Sequence, residues 1–152
     1  MTSKTKISIA AGFALAALAT TAQAAPVFNA ANGHWYEAVQ AGVTWDAARD
    51  AAAAMSLAGT QGHLVTITSQ AEQDFINASL PGARGAPGVF GYWIGGYSLA
   101  TGIFQWVTGE AFGYTNWNAN EPNFDSPPAG LHFFGQGSQA GRWNDAGWGW
   151  TS

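Results

Sequence analysis

The placement of helix-breaking residues constrains this chain more than any other feature. Two segments between Thr44 and Leu80 can form helices. From Gly85 onward Gly, Asn, Pro and aromatic residues dominate, and no helical period survives. A strand–helix–strand–helix order followed by short strands and long loops is an α+β pattern.

Thr44 is a candidate N-cap for a helix from Trp45 to about Met55, favoured by the run Ala51 to Ala54. Trp45, Ala48, Ala52 and Met55 share one face and are expected to pack inward. Ser69-Gln70-Ala71-Glu72 reads as a capping box, the serine accepting from the Glu72 backbone N–H and the Glu72 side chain reaching back. The second helix is expected from about Gln70 to Leu80, burying Ala71, Phe75 and Ile76 and ending at Pro81-Gly82. His34 to Val39, His63 to Ile67, Tyr92 to Gly96, Phe104 to Val107 and Leu131 to Phe134 read as strands. A turn near Ala100-Thr101-Gly102 joins the third and fourth of these. Thr115 to Ala129 is a long loop with three prolines. Unstructured loops of this length are functional or disordered.

Two short motifs stand out in the second half. Glu121-Pro122-Asn123 lies on the long loop, and Trp143-Asn144-Asp145 follows a Gly/Gln/Ser turn. Neither lies in a helical or strand-like pattern. Together they offer four oxygen-bearing side chains, with no cysteine and few histidines nearby, a donor set that suits a hard cation such as Ca2+. The proline restricts the loop that presents the first pair, and its peptide bond can be cis.

Lys4 and Lys6, the apolar run Ile7 to Leu18 and the triplet Ala22-Gln23-Ala24 make residues 1–24 a secretory signal peptide, cut after about Ala24. A retained N-terminal anchor is the alternative. The expected location is secreted or extracellular, at the cell surface or in the periplasm, with no membrane span. Residues 25–152 then form one domain. They hold three arginines and nine acids, a net charge of −6 with histidine neutral. An acidic surface without a basic stripe argues against nucleic acid and anionic membranes. The absence of cysteine removes disulfides and thiol catalysis. The large aromatic complement, including eight tryptophans, can supply the buried area instead.

In this order and spacing the chain resembles the C-type lectin-like domain, in its cysteine-free, bacterial secreted form. The residues that carry the likeness are Thr44-Trp45, Gly62 to Glu72, Trp93-Ile94-Gly95-Gly96, Phe104-Gln105-Trp106, Tyr114-Thr115-Asn116-Trp117, Glu121-Pro122-Asn123 and Trp143-Asn144-Asp145. The resemblance implies two helices flanking small antiparallel sheets, with a long functional loop. It implies a Ca2+ site ligated by Glu121, Asn123, Asn144 and Asp145, with Pro122 cis, where the ion holds two vicinal sugar hydroxyls. A Glu-Pro-Asn motif goes in that family with mannose- and glucose-type sugars, whereas galactose-type binders usually carry Gln-Pro-Asp. Each carboxylate can also accept from a sugar hydroxyl, and each asparagine keeps an NH2 to donate.

Two departures qualify the likeness. The family usually places another acidic ligand between the motifs, but Ser126-Pro127-Pro128-Ala129-Gly130 contains none, and Asp125 is the nearest substitute. Fewer carboxylates mean weaker Ca2+ binding. The family also continues into a final strand that pairs with the first, and here only Gly147 to Ser152 remains to begin one, so the final strand reads as truncated. The function expected is a secreted Ca2+-dependent carbohydrate-binding domain of mannose/glucose type. The alternative is a lectin-like adhesion or matrix module that contacts surface proteins without binding sugar. Catalysis is not expected, because Ca2+ ligation would hold Glu121 and Asp145 as carboxylates and leave a glycosidase pair without its acid. No catalytic residues are assigned. Asn116 and Asn118 read as turn residues. Trp93, Trp106 and Trp143 read as core, as does Trp117, which could otherwise stack on a sugar. His63 and His132 read as satisfied strand histidines, and Glu72 as a solvated helix-face acid.

Overall fold

The computed structural model describes residues 25–84, 91–123, 127–134 and 141–151. The expected signal peptide and Asp125 lie outside the described residues.

The first helix, α1 (Trp45–Ala54), begins and ends within a residue of its expected bounds. Thr44 occupies the N-cap position, but its hydroxyl donates to the Asp46 carboxylate rather than capping a backbone N–H. Of the expected inward stripe only Trp45 is fully buried, while Ala48, Ala52 and Met55 are half-buried. An alanine face has little area to hide, so one tryptophan docks the helix. Its indole Nε1 donates to Ile94 O at 2.9 Å.

The second helix, α2 (Gln70–Ser79), starts as expected, with Ser69 Oγ accepting from Glu72 N at 3.2 Å. The other half of the capping box does not form. The Glu72 carboxylate accepts instead from Thr68 N at 3.0 Å, from the Tyr36 hydroxyl at 2.6 Å and from Asn32 Nδ2 at 3.3 Å. Glu72 is therefore a buried anchor, not a solvated acid. The buried face of α2 is Glu72, Gln73 and Ile76; Ala71 is exposed and Phe75 half-buried. The helix is rotated from the apolar expectation because polar Glu72 and Gln73 find buried partners, which repays their desolvation. A 3-10 turn over Pro81–Arg84 follows.

Among the described residues three antiparallel sheets form. Strands β1 (Val27–Asn29) and β2 (His34–Tyr36) make a hairpin, so the expected strand at 34–39 is only half as long. Strands β3 (Ser56–Leu57) and β4 (Thr60–Gln61) make a smaller one. The main sheet holds β5 (Trp93–Ala100), β6 (Ile103–Trp106), β7 (Ala129–Phe134) and β8 (Arg142–Gly147) in the order β6-β5-β7-β8. The segment His63 to Ile67 is not a strand. It meets β5 through the hydrogen bond from Gly95 N to Val65 O at 2.7 Å, and its alternation reflects side-chain packing rather than a ladder.

Adjacent strand residues point to opposite faces. Trp93 and Ile94 accordingly join different clusters. Trp93 packs with Trp45 and Ala146, whereas Ile94 joins Ile67, Ile76, Trp106, Leu131, Phe133 and Trp143. The sheet is thus covered on both faces. Trp45 lies so close to Gly130 on β7 that a Cβ there would stand 2.8 Å from the Trp45 Cβ and nearer still to its ring. An acidic side chain at 130 is excluded by the same contact.

Candidate functional site

The site is assembled from the loop that follows β6 and from β8. Contrary to the sequence reading, Trp143-Asn144-Asp145 lies within a strand. Every residue of β8 pairs with β7, from Phe134↔Arg142 to Ala129↔Gly147. The loop approaches from the other side of β8: Trp143 N donates to Asn116 O and Asn118 N donates to Trp143 O, each at 2.9 Å, so Trp117 and Trp143 form a parallel bridge.

The two asparagines read as turn residues are part of this joint. Asn116 is buried; its Nδ2 donates to Gly141 O at 2.9 Å and its Oδ1 accepts from Arg142 Nη1 at 2.9 Å. Asn118 is also buried. No local signal marks them, because their partners Gly141, Arg142 and Trp143 lie more than 20 residues away in sequence. Trp117 is half-buried against Phe104 and Trp143, with ring centroids at 5.0 and 5.9 Å, and belongs to the core as expected.

Beyond the bridge the loop turns back, with Glu121 N donating to Asn118 O at 3.1 Å and Asn120 at φ 68°. The Glu121–Pro122 bond is cis. Asn123 N then donates to Asp145 Oδ1 at 3.1 Å, which ties the two motifs directly together. Asn144 and Asp145 are buried, Glu121 is half-buried and Asn123 is exposed. Adjacent strand residues diverge, so Asn144 and Asp145 can share one ion only at a sheet edge. β8 is an edge strand.

The donor set fits a hard cation. Among the described residues, no three His, Cys, Asp or Glu side chains gather as a metal cluster; the two motifs themselves carry two carboxylates and two amide oxygens. Asn144 Oδ1 is buried and has no hydrogen-bond partner among the described residues, and the same holds for Asn118 Oδ1. A buried acceptor left unmatched is costly unless an ion or a donor meets it.

His132 faces Asn144 across the β7–β8 ladder. It is buried, with Nδ1 2.8 Å from Phe133 O and Nε2 3.1 Å from Asn144 Nδ2. Burial pushes its pKa down to about 4 against the opposing pull of the Phe133 carbonyl, so the ring is neutral at ordinary pH. His132 is thus a satisfied core histidine, as read from the sequence. His63 instead is exposed outside any strand, with Nδ1 2.8 Å from Leu64 O.

A family model described as "Lectin C-type domain" matches residues 42–147, well over half of the chain. This chain belongs to the C-type lectin family. Members of the family are carbohydrate-binding domains rather than enzymes. This C-type lectin domain is 35% identical over 96 residues to Halomucin of Haloquadratum walsbyi, covering 62% of the chain and 1% of that protein. It is 44% identical over 71 residues to C-type mannose receptor 2 of Homo sapiens, covering 46% of the chain and 4% of the receptor. It therefore spans only a small part of the length of these relatives. Among solved structures it matches the C-type carbohydrate-recognition domain of cow CD23, determined in the presence of a GlcNAc2Man3 oligosaccharide. The TM-score is 0.54 at 31% identity, over 72% of this chain and 74% of that one. It also matches the C-type lectin CEL-I of Cucumaria echinata with a TM-score of 0.58 over 75% and 81% of the two chains. The identity there is 24%, a likeness that speaks to the fold alone.

Proposed function

We propose that this C-type lectin domain is a secreted, Ca2+-dependent carbohydrate-binding module that prefers sugars of the mannose and glucose type. The observation that carries the reading is the hydrogen bond from Asn123 N to Asp145 Oδ1, which brings the loop motif onto the β8 motif. Glu121, Asn123, Asn144 and Asp145 are the proposed ligands of both ion and sugar, and Asp125 is a fifth metal ligand from the same loop. The orphaned Asn144 Oδ1 supports an oxygen-seeking partner at this place. Ca2+, when bound, supplies the seat for two sugar hydroxyls. The side chains neutralise the ion, accept from the hydroxyls through carboxylate oxygens and donate through amide N–H groups. The Glu-Pro-Asn motif supports the mannose/glucose preference. The similarity to a mannose receptor and to a domain solved with a mannose-containing oligosaccharide agrees with it. Residues 1–24 support export, and residues 25–152 are the proposed single domain.

Isothermal titration first with Ca2+ and then with methyl mannoside tests this. Ca2+ is expected to bind with a Kd near the millimolar range of extracellular modules, roughly 10⁻⁴ to 10⁻³ M. Mannoside heat is expected only after Ca2+. No heat from millimolar Ca2+ would sink the reading in favour of an adhesion module that contacts surface proteins. The double substitution Glu121→Gln with Asn123→Asp is expected to move preference toward galactose. Unchanged mannose binding in that variant would refute these residue assignments.

A further inference from the structure

An asparagine side chain has an oxygen at one end and an NH2 at the other, and only the oxygen can serve a cation. Something must decide which end faces the ion. We propose that His132 is the positioning residue that fixes the Asn144 amide with its carbonyl oxygen turned toward the metal side. The inference rests on the reading above that Asn144 is a ligand.

One proton decides the orientation. His132 Nδ1 lies 2.8 Å from Phe133 O. A carbonyl can only accept, so Nδ1 carries the proton. His132 is 1% exposed, and burial disfavours a charged ring, so the second nitrogen, Nε2, holds a lone pair and accepts. The Asn144 atom 3.1 Å from Nε2 must therefore be the donor, Nδ2. This assignment follows from the carbonyl position and leaves no freedom for the reversed amide, which would set two acceptors against each other. Oδ1 is left at the far end, buried and without a hydrogen-bond partner among the described residues.

The ring itself is held in place. His132 pairs with Trp93 on one side and with Asn144 on the other, across the ladders of β5, β7 and β8. The Trp93 and His132 rings meet edge-on at 5.5 Å. Trp93 is pinned in turn by its indole N–H, which donates to Val43 O at 2.8 Å. A second consequence concerns the sugar. One of the two Asn144 N–H bonds is committed to His132, so a sugar hydroxyl has only the other.

The test uses the full chain. In the metal-free wild type, nitrogen–proton correlation spectra of the His132 ring are expected to show the proton on Nδ1 and none on Nε2. A proton on Nε2 overturns the proposal. His132→Leu is expected to lower Ca2+ affinity by roughly ten-fold or more, as loss of an orienting outer partner commonly does. Adding Asn144→Asp to His132→Leu should restore most of that affinity, because a carboxylate presents an oxygen at either end. Loss without rescue means that His132 serves packing alone, and an unchanged affinity in His132→Leu also defeats the idea. If His132→Leu does not fold, the wild-type ring spectrum still decides. Absence of Ca2+ binding by the wild type would defeat the metal reading, while the ring spectrum separately reports whether His132 orients the amide.

Discussion

The Tyr36 hydroxyl donates a 2.6 Å hydrogen bond to Glu72 Oε1, joining the first hairpin to α2 across 36 positions of sequence. Both residues are buried, and the same carboxylate accepts from Asn32 and Thr68. Glu72→Ala strands several of these donors at once. It is expected to cost about 2–3 kcal/mol in urea denaturation, with Tyr36→Phe costing about 1 kcal/mol. Equal stability of Glu72→Ala and wild type would contradict the anchoring role.

The same contact makes stability fall on the alkaline side. Burial, followed by the Glu72 carboxylate, holds the Tyr36 hydroxyl well above the usual tyrosine range. A raised folded value means that the native state keeps a proton which the unfolded state releases above about pH 10. The stabilisation is complete below that pH and is lost as pH rises toward the folded value, with a slope of at most about 1.4 kcal/mol per pH unit. Tyr36→Phe should show a shallower loss between pH 9 and 11 in denaturation curves. A slope unaltered by the substitution would place the titration elsewhere, with Tyr114 the next candidate, since burial raises it too.

Gly130 sits beneath Trp45, and even a methyl group must push the indole from its place. Trp45 is fully buried and bonded to Ile94 O, so it has little room to yield. Gly130→Ala is expected to destabilise by about 1–3 kcal/mol and to alter near-ultraviolet circular dichroism from the stacked Trp45 and Trp148, whose centroids are 5.3 Å apart. An unchanged spectrum and midpoint would show that α1 shifts freely.

Ca2+ binding, where it occurs, must appear as thermal stabilisation. At ten times its Kd the ion adds about 1.4 kcal/mol by mass action. For a domain of this size that is roughly a 5 °C rise in Tm, reversed by chelator. Asp145→Ala is expected to abolish the rise. Differential scanning calorimetry with and without Ca2+ measures it.

The helices were legible because their starts are local chemistry. Ser69 caps the Glu72 N–H, and the alanine run after Trp45 has few alternatives to helix. The hairpin around Gly102 was legible for the same reason, its glycine taking φ 77° at the turn. Partnerships across the chain were not. Nothing in the local pattern around Glu72 announces Tyr36, and nothing in Asn116-Trp117-Asn118 announces Trp143. The alternation from His63 to Ile67 misled because packing on one face imitates a strand without the ladder. At the site, both motifs and the loop position of Glu121-Pro122-Asn123 were visible in the sequence, whereas the place of Trp143-Asn144-Asp145 on an edge strand emerged only from its pairing with β7 and the main-chain bonds at Trp143.

The bridge between Trp117 and Trp143 also bears on solubility. β8 ends the main sheet, and an open edge invites another chain to add a strand. The loop occupies the Trp143 N–H and C=O itself, in parallel rather than antiparallel register. The segment that carries Glu121 and Asn123 is therefore also a guard against self-association. Loop sequences selected for a new ligand must still satisfy Trp143, or the molecule trades recognition for aggregation.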